Sequence, residues 1–297
     1  MEYVLRTKNL SKQFGAKYAL RGVNMHLKKG EIYGFIGKNG AGKTTLMRLI
    51  LGAAEPTDGE IFLFDGENDN EARRRIGALL EYPCIYKNCT ALENLKRFAI
   101  LSGTESDELE YILDLVGLGN VGAKKAGQFS LGMKQRLGIA IALLGHPEFL
   151  VLDEPINGLD PAGIKEIRDV ILTLNRRKGV TFLISSHLLD ELSKIVTTYG
   201  IIKDGILIEE ISSAELQAKC RHHLKIGVDD VSTATAILSC ISDPASIKQG
   251  DGCIYMYELL DRADDVNRLL ISYGINVSEL SVQTSSLEEY FLERMGR

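Results

Sequence analysis

The sequence predicts an α/β protein: a mainly parallel sheet wrapped by helices, followed by a smaller α/β unit. Three observations predict it. Between residues 149 and 208, short apolar runs alternate with helical stretches, the pattern a parallel sheet with crossover helices imposes. The run Gly37-Lys38-Asn39-Gly40-Ala41-Gly42-Lys43-Thr44 fills every fixed position of the pattern G-x-x-x-x-G-K-[ST], between a strand-like and a helical run. Near residue 220 composition and pattern shift, and a second series of strands and helices begins. The chain has 297 residues, enough for one large domain and a small one.

Residues 4–10 and 18–27 read as antiparallel strands about a turn at Gly15, and Lys28-Lys29-Gly30 turns the chain into a buried strand over 32–36. Three glycines then let the backbone curl so that successive N–H groups point inward at an anion. A helix over 44–50, stopped by Gly52, adds its own unpaired amides and the positive end of its dipole. In that setting Lys43 offers a charge to the β and γ phosphates of a nucleotide, and Thr44 a hydroxyl to Mg²⁺.

Residues 59–64 read as a strand between two Asp-Gly turn signals, and 91–145 as a helical insertion. Inside it Ser130 reads as an N-cap, with Gly132 in the first turn of a helix running to Gly145. Residues 149–152 form a buried strand, and Asp153 and Glu154 emerge at its carboxyl end, where α/β sheets place ligands. Asp153 suits Mg²⁺ held through water, and Glu154 suits an attacking water that needs polarising. A helix over 161–178 follows, with Asp160 as N-cap, Pro161 first and Gly179 as stop. Then come a strand over 180–185, a helix over 187–195 and a hairpin over 201–208 about Asp204-Gly205. The tail reads as strand 223–228, helix 232–240, strand 252–259, helix 264–273 and strand 277–284. Ser286-Leu287-Glu288-Glu289 fits a capping box that opens a last helix, giving β-α-β-α-β-α.

Net charge is −5, and residues 216–297, with 8 basic and 12 acidic side chains, carry most of the excess. Neither part has the basic surplus of a nucleic-acid binder, so no nucleic-acid partner is expected. The five cysteines form no C-x-x-C pair and read as reduced thiols. The longest apolar stretch, within 137–145, is far too short to span a bilayer, and no leader precedes the first strand; any membrane association is expected through a partner. His222-His223 reads as an unremarkable pair at the domain junction, and Arg73-Arg74-Arg75 as a solvated turn.

A serine at a helix start is a second anion site in the same chain. Two such sites and one nucleotide loop suggest that two chains share each nucleotide. Here the sequence, over roughly residues 2–215, resembles the ATP-binding subunits of ABC transporters. The resemblance implies a P-loop ATPase with a RecA-like core, an antiparallel β subdomain and a helical subdomain at about 91–145. The ATP-binding domain would cover 1–218, and a small accessory α/β domain 219–297. The family's signature, usually L-S-G-G-Q, stands here as Phe129-Ser130-Leu131-Gly132-Met133, keeping the serine and second glycine. Its D-loop corresponds to Asn157-Gly158-Leu159-Asp160, its switch histidine to His187, and its adenine-stacking aromatic to Phe14, with Tyr18 a weaker candidate. Thr45 joins residues 37–44 as an ATP contact by the same resemblance. The glutamine that ends I-G-x-x-x-Q in the family is Glu81 here. Glutamate there, and the tail ending Leu287-Glu288-Glu289-Tyr290-Phe291, look like the subgroup that exports bacitracin or protects lantibiotic producers.

The expectation is therefore an ATPase with Glu154, His187 and Lys43 in catalysis, and Mg²⁺ held by Thr44, Asp153 and Glu81. Phe14 and residues 37–45 would bind ATP, and Ser130, Leu131, Gly132 and Met133 would complete the partner chain's site. Its partners would be a second copy and a separate transmembrane permease, met through Tyr82, Tyr86 and Leu92, at the inner face of the cell membrane. An exporter ATPase for another cargo and a non-transport regulatory ATPase stay open at this point.

Overall fold

A computed structural model describes residues 2–66, 70–220, 222–284 and 287–295, and the chain falls into two compact units, Met1–Ser213 and Ala214–Arg297. The first unit opens with β1 (Tyr3–Phe14), β2 (Lys17–Val23) and β3 (His26–Lys28). The stretch expected as one strand over 18–27 is two. Asn24 Oδ1 accepts from the Asn9 amide and its Nδ2 donates to Gly22 O, and these local side-chain bonds replace the ladder at the break. The chain continues through β4 (Ile32–Ile36), α1 (Lys43–Ile50), β5 (Asp58–Leu63), α2 (Asn70–Arg74) and β6 (Ile76–Leu79). Strand β1 pairs antiparallel with β2, β3 and β5, as the alternating sequence leads one to expect.

Three helices dominate residues 91–145: α3 (Ala91–Ser102), α4 (Glu108–Leu115) and α5 (Leu131–Ala142). Helix α3 starts on a capping box in which Thr90 and Glu93 satisfy each other's amides. The chain then alternates through β7 (Phe149–Asp153), α6 (Pro161–Lys178), β8 (Thr181–Ser186), α7 (Leu189–Leu192), β9 (Thr198–Lys203), β10 (Ile206–Ser212) and α8 (Ser213–Lys219). These strands form a six-stranded sheet in the order β10-β9-β4-β8-β7-β6, parallel except for the β9–β10 hairpin.

The core of this unit lies between the two sheets. Leu5, Leu10, Leu20 and Met25 of the antiparallel layer meet Phe35, Phe149 and Val151 of the parallel one, and Leu46, Leu49 and Ile50 of α1 fill the space between. Strand β6 escaped the sequence reading because it is only four residues long and contains Gly77, which weakens a strand pattern. Close packing explains that glycine. A Cβ on Gly77 would lie 2.0 Å from Ala142 O, so α5 rests directly on the β6 backbone. Helix α7 is shorter than the expected 187–195. His187 and Leu188 stay outside it because the Leu188 amide donates to Ser186 Oγ, which bends the chain as it leaves β8.

The second unit contains β11 (His222–Val228), α9 (Val231–Leu238), β12 (Ile247–Gly250), β13 (Cys253–Met256), α10 (Ala263–Ser272), β14 (Val277–Thr284) and α11 (Leu287–Met295). Its sheet is antiparallel, in the order β12-β13-β11-β14. From β11 to β14 the arrangement is β-α-β-β-α-β, the ferredoxin-like split, followed by α11, and not the expected β-α-β-α-β-α. The missing strand was β12, an edge strand with exposed Lys248 and Gln249, too short and polar to read as apolar alternation. Leu224 and Ile226 of β11 pack with Ala234 and Leu238 of α9 and Val266 and Leu270 of α10. Ser286, the expected cap of the last helix, lies outside the described residues, as does the side chain of His222. No disulfide joins any of the five cysteines, and no helix among the described residues is long and apolar enough to cross a membrane.

Candidate active site

Strand β4 is buried along its whole length and delivers the chain to the loop 37–42 at its carboxyl end. Gly42 ends that loop at φ 111°, and a Cβ there would meet Ala19 O at 2.6 Å, so this position admits only glycine. It is also the N-cap of α1, with no side chain capping the first amides. Those amides, together with the dipole, favour an anion at this point. Lys43 is 6% exposed. Its Nζ donates to Gly37 O at 2.7 Å and lies 3.4 Å from Glu154 Oε1.

Parallel pairing of β7 with β8 sets Asp153 opposite Ser185. Asp153 is 3% exposed and accepts from Thr44 Oγ1 at 2.7 Å on one carboxylate oxygen and from Ser185 Oγ on the other. Glu154 follows at φ 51°, a left-handed conformation that breaks strand alternation. Its Oε2 lies 2.8 Å from Nδ1 of His187, and since a carboxylate only accepts, the ring proton belongs on Nδ1. Lys43, Glu154 and His187 thus form one line of contact, with Thr44 and Asp153 beside it.

These groups open onto a cleft of about 480 Å³ lined by Asn39, Gly40, Gly42, Lys43, Thr44 and Thr45 on one side and by Asp153, Glu154, Asn157 and Gly158 on another. Glu81, Tyr82, Leu131 and Gln135 complete it. Thr44 and Asp153 offer hard oxygen donors side by side, the set that suits Mg²⁺ when substrate phosphates supply further oxygens. Glu81, the third metal ligand expected from sequence, lines the same cleft, and Arg48 Nη2 meets its carboxylate at 2.6 Å. Among the described residues no three His, Cys, Asp or Glu side chains converge as a metal cluster.

Ser130 caps α5 by accepting from the Met133 amide at 3.2 Å and is exposed. Of the signature run, Leu131 faces the cleft, while Gly132 is buried near Gly163. Asn157 stands in the cleft wall, whereas Asp160 caps α6, with Oδ1 accepting from the Gly163 amide. Lys38 is exposed, and Gly37 and Ala41 shape the loop from its buried side. Phe14, at the end of β1, is 57% exposed with Lys12 Nζ over its ring. It does not line the cleft, where Ala19 of β2 stands instead.

Two residues escaped sequence reasoning. Gln135 is 3% exposed, and its Oε1 has no hydrogen-bond partner among the described residues. The four-residue spacing from Leu131, which puts both on one helix face, was the available signal. Ser185 is fully buried at the end of an apolar strand, and only the strand register shows what it touches.

Residues 20–157 match the family model of the ABC transporter. The bacitracin transport ATP-binding protein BcrA of Bacillus licheniformis is 41% identical over 302 residues, spanning all of this chain and 98% of that relative. The lantibiotic transport ATP-binding protein SrtF of Streptococcus pyogenes is 42% identical over 70% of this chain and 90% of its own length. Among solved structures, cbiO1 from Clostridium perfringens superimposes with a TM-score of 0.68 at 27% identity, covering 74% of this chain and 92% of that one. The dimeric cassette MJ0796 does so with 0.62 at 27% identity, covering 70% and 98%. Matched nearly end to end by one of these proteins and over 70–74% of its length by the others, the chain belongs to the ATP-binding subunits of ABC transporters.

Proposed function

We propose that the chain hydrolyses MgATP as a head-to-tail homodimer and thereby drives a separate membrane permease that exports an antimicrobial peptide of the bacitracin or lantibiotic kind. The observation that carries the chemistry is the position of Glu154 between Lys43 and His187, beside the Asp153–Thr44 pair. The phosphates would lie on the 37–45 loop, where α1 amides and Lys43 meet their charge. Thr44 and Asp153 would hold Mg²⁺, which when bound neutralises charge on the phosphate oxygens. Glu154 would polarise the attacking water by accepting its proton density, and His187 would fix the direction of that carboxylate.

Ser130 of one chain would complete the nucleotide site of the other, with Asn157 and Asp160 near the seam, so that ATP favours the closed pair and hydrolysis releases it. Phe14 fits an adenine contact only at the open rim, where its exposed ring lies. Tyr82 and Tyr86 are 79% and 50% exposed, and with Leu92 they offer the permease an apolar contact. That contact would keep the chain at the inner face of the membrane. The cargo class rests on the relatives' names and on Glu81 and the tail. Two measurements test the proposal. The purified chain should show Mg²⁺-dependent ATPase activity. A strain lacking the chain should become sensitive to such a peptide and regain resistance with the wild-type chain, not with Glu154→Gln; unchanged sensitivity would remove the peptide assignment.

A further inference from the structure

We infer that Ser185 is a positioning residue that sets the two adjacent carboxylates of the site to their separate tasks. Its hydroxyl is fully buried and is used in both directions. It donates to one oxygen of Asp153 and accepts from the backbone amide of Glu154 at 2.8 Å. Thr44 Oγ1 donates to the other oxygen of Asp153. Two hydroxyls thus donate to Asp153, one to each carboxylate oxygen, in a site that is 3% exposed, and its plane is fixed.

The second bond acts on the neighbouring residue. Glu154 sits at φ 51°, which a non-glycine residue holds only when its surroundings impose it. The amide bond to Ser185 is such a restraint. It anchors the peptide at the point where the chain leaves β7, and so sends Glu154 toward Lys43 and His187. An apolar side chain at 185 would leave the part-buried Glu154 amide without this acceptor and Asp153 with one donor fewer. Both carboxylates would lose direction, though neither would be altered itself. Ser185 touches no reacting atom in this arrangement; it acts through Asp153 and Glu154.

The inference rests on the proposed MgATP site, and the test separates the two. Mn²⁺ affinity of the full chain, titrated by electron paramagnetic resonance in the presence of ADP, needs no turnover. Ser185→Val should weaken Mn²⁺ binding and lower kcat, each by about 10–100-fold, the usual effect of losing a group that orients a metal ligand. KM for ATP at saturating metal should move little. Ser185→Thr, which keeps the hydroxyl, should restore both. Ser185→Cys, a weak donor of similar size, should fall between and serves if the valine variant does not fold. Wild-type Mn²⁺ affinity and kcat in folded Ser185→Val or Ser185→Cys would overturn the inference, as would a folded Ser185→Thr that rescues neither. Loss of ATPase activity in the wild-type chain would instead count against the proposed function.

Discussion

Arg48 Nη2 lies 2.6 Å from Glu81 Oε1, so the carboxylate that replaces the family's usual glutamine is met by a guanidinium from the last turn of α1. The extra negative charge at the cleft is thereby balanced within the chain. Both side chains are more than half exposed, and such a pair contributes about 0.2–1 kcal/mol. Glu81→Gln should accordingly change turnover by no more than about fivefold, the rate equivalent of that energy. Steady-state ATPase assays check this, and a complete loss would make Glu81 an obligatory ligand.

Glu154→Gln should behave differently. The amide keeps the size of the side chain but cannot draw a proton from water, so kcat should fall by about 10²–10⁴. ATP binding should persist, because Lys43 and the loop amides are unchanged. Equilibrium binding of a fluorescent ATP analogue and single-turnover hydrolysis separate the two effects.

Gly42→Ala should destabilise the first unit and impair nucleotide binding together. The new methyl would meet Ala19 O at 2.6 Å in a left-handed backbone, a combination that costs about 1–3 kcal/mol in strain before any relaxation. Thermal unfolding with and without ATP should show a lower Tm and a smaller shift on adding nucleotide. An unchanged Tm would mean the loop can relax without loss.

Tyr33 gives a pH prediction. Burial, and then the nearby Glu210 that accepts its hydroxyl at 2.8 Å, push its phenol well above the ordinary tyrosine value. The folded state therefore favours the protonated form. This contribution is complete below the unfolded pKa of about 10 and is lost as pH rises from there through the folded value. Urea unfolding at pH 8 and pH 11 should show a loss of stability on the alkaline side that is smaller in Tyr33→Phe.

Much of the first unit was legible because its signals are local. The 37–44 run, the cap at Asp160 and the stop at Gly179 each declare themselves within a few residues. Strands β6 and β12 were not, since each is four residues long and owes its place to a neighbour across the sheet. The site divides in the same way. Lys43, Asp153 and Glu154 belong to runs with a chemical pattern, whereas Ser185 becomes meaningful only through the register that pairs it with Asp153. Glu81 could be located from sequence but not oriented, because Arg48 lies 33 residues away in the chain.

Helix α5 rests on the bare backbone of Gly77 at one end and carries Ser130 as its cap at the other. Pro83 and Leu79 also press on it, in the space left by Gly138. One helix therefore packs on the sheet rim at Gly77 and on Leu79 and Pro83, the residues that flank Glu81 and Tyr82, while Ser130 caps its far end. No side chain separates the helix from the strand beneath it: a single methyl added at Gly77 would lie 2.0 Å from Ala142 O and would have to lift α5 off the sheet.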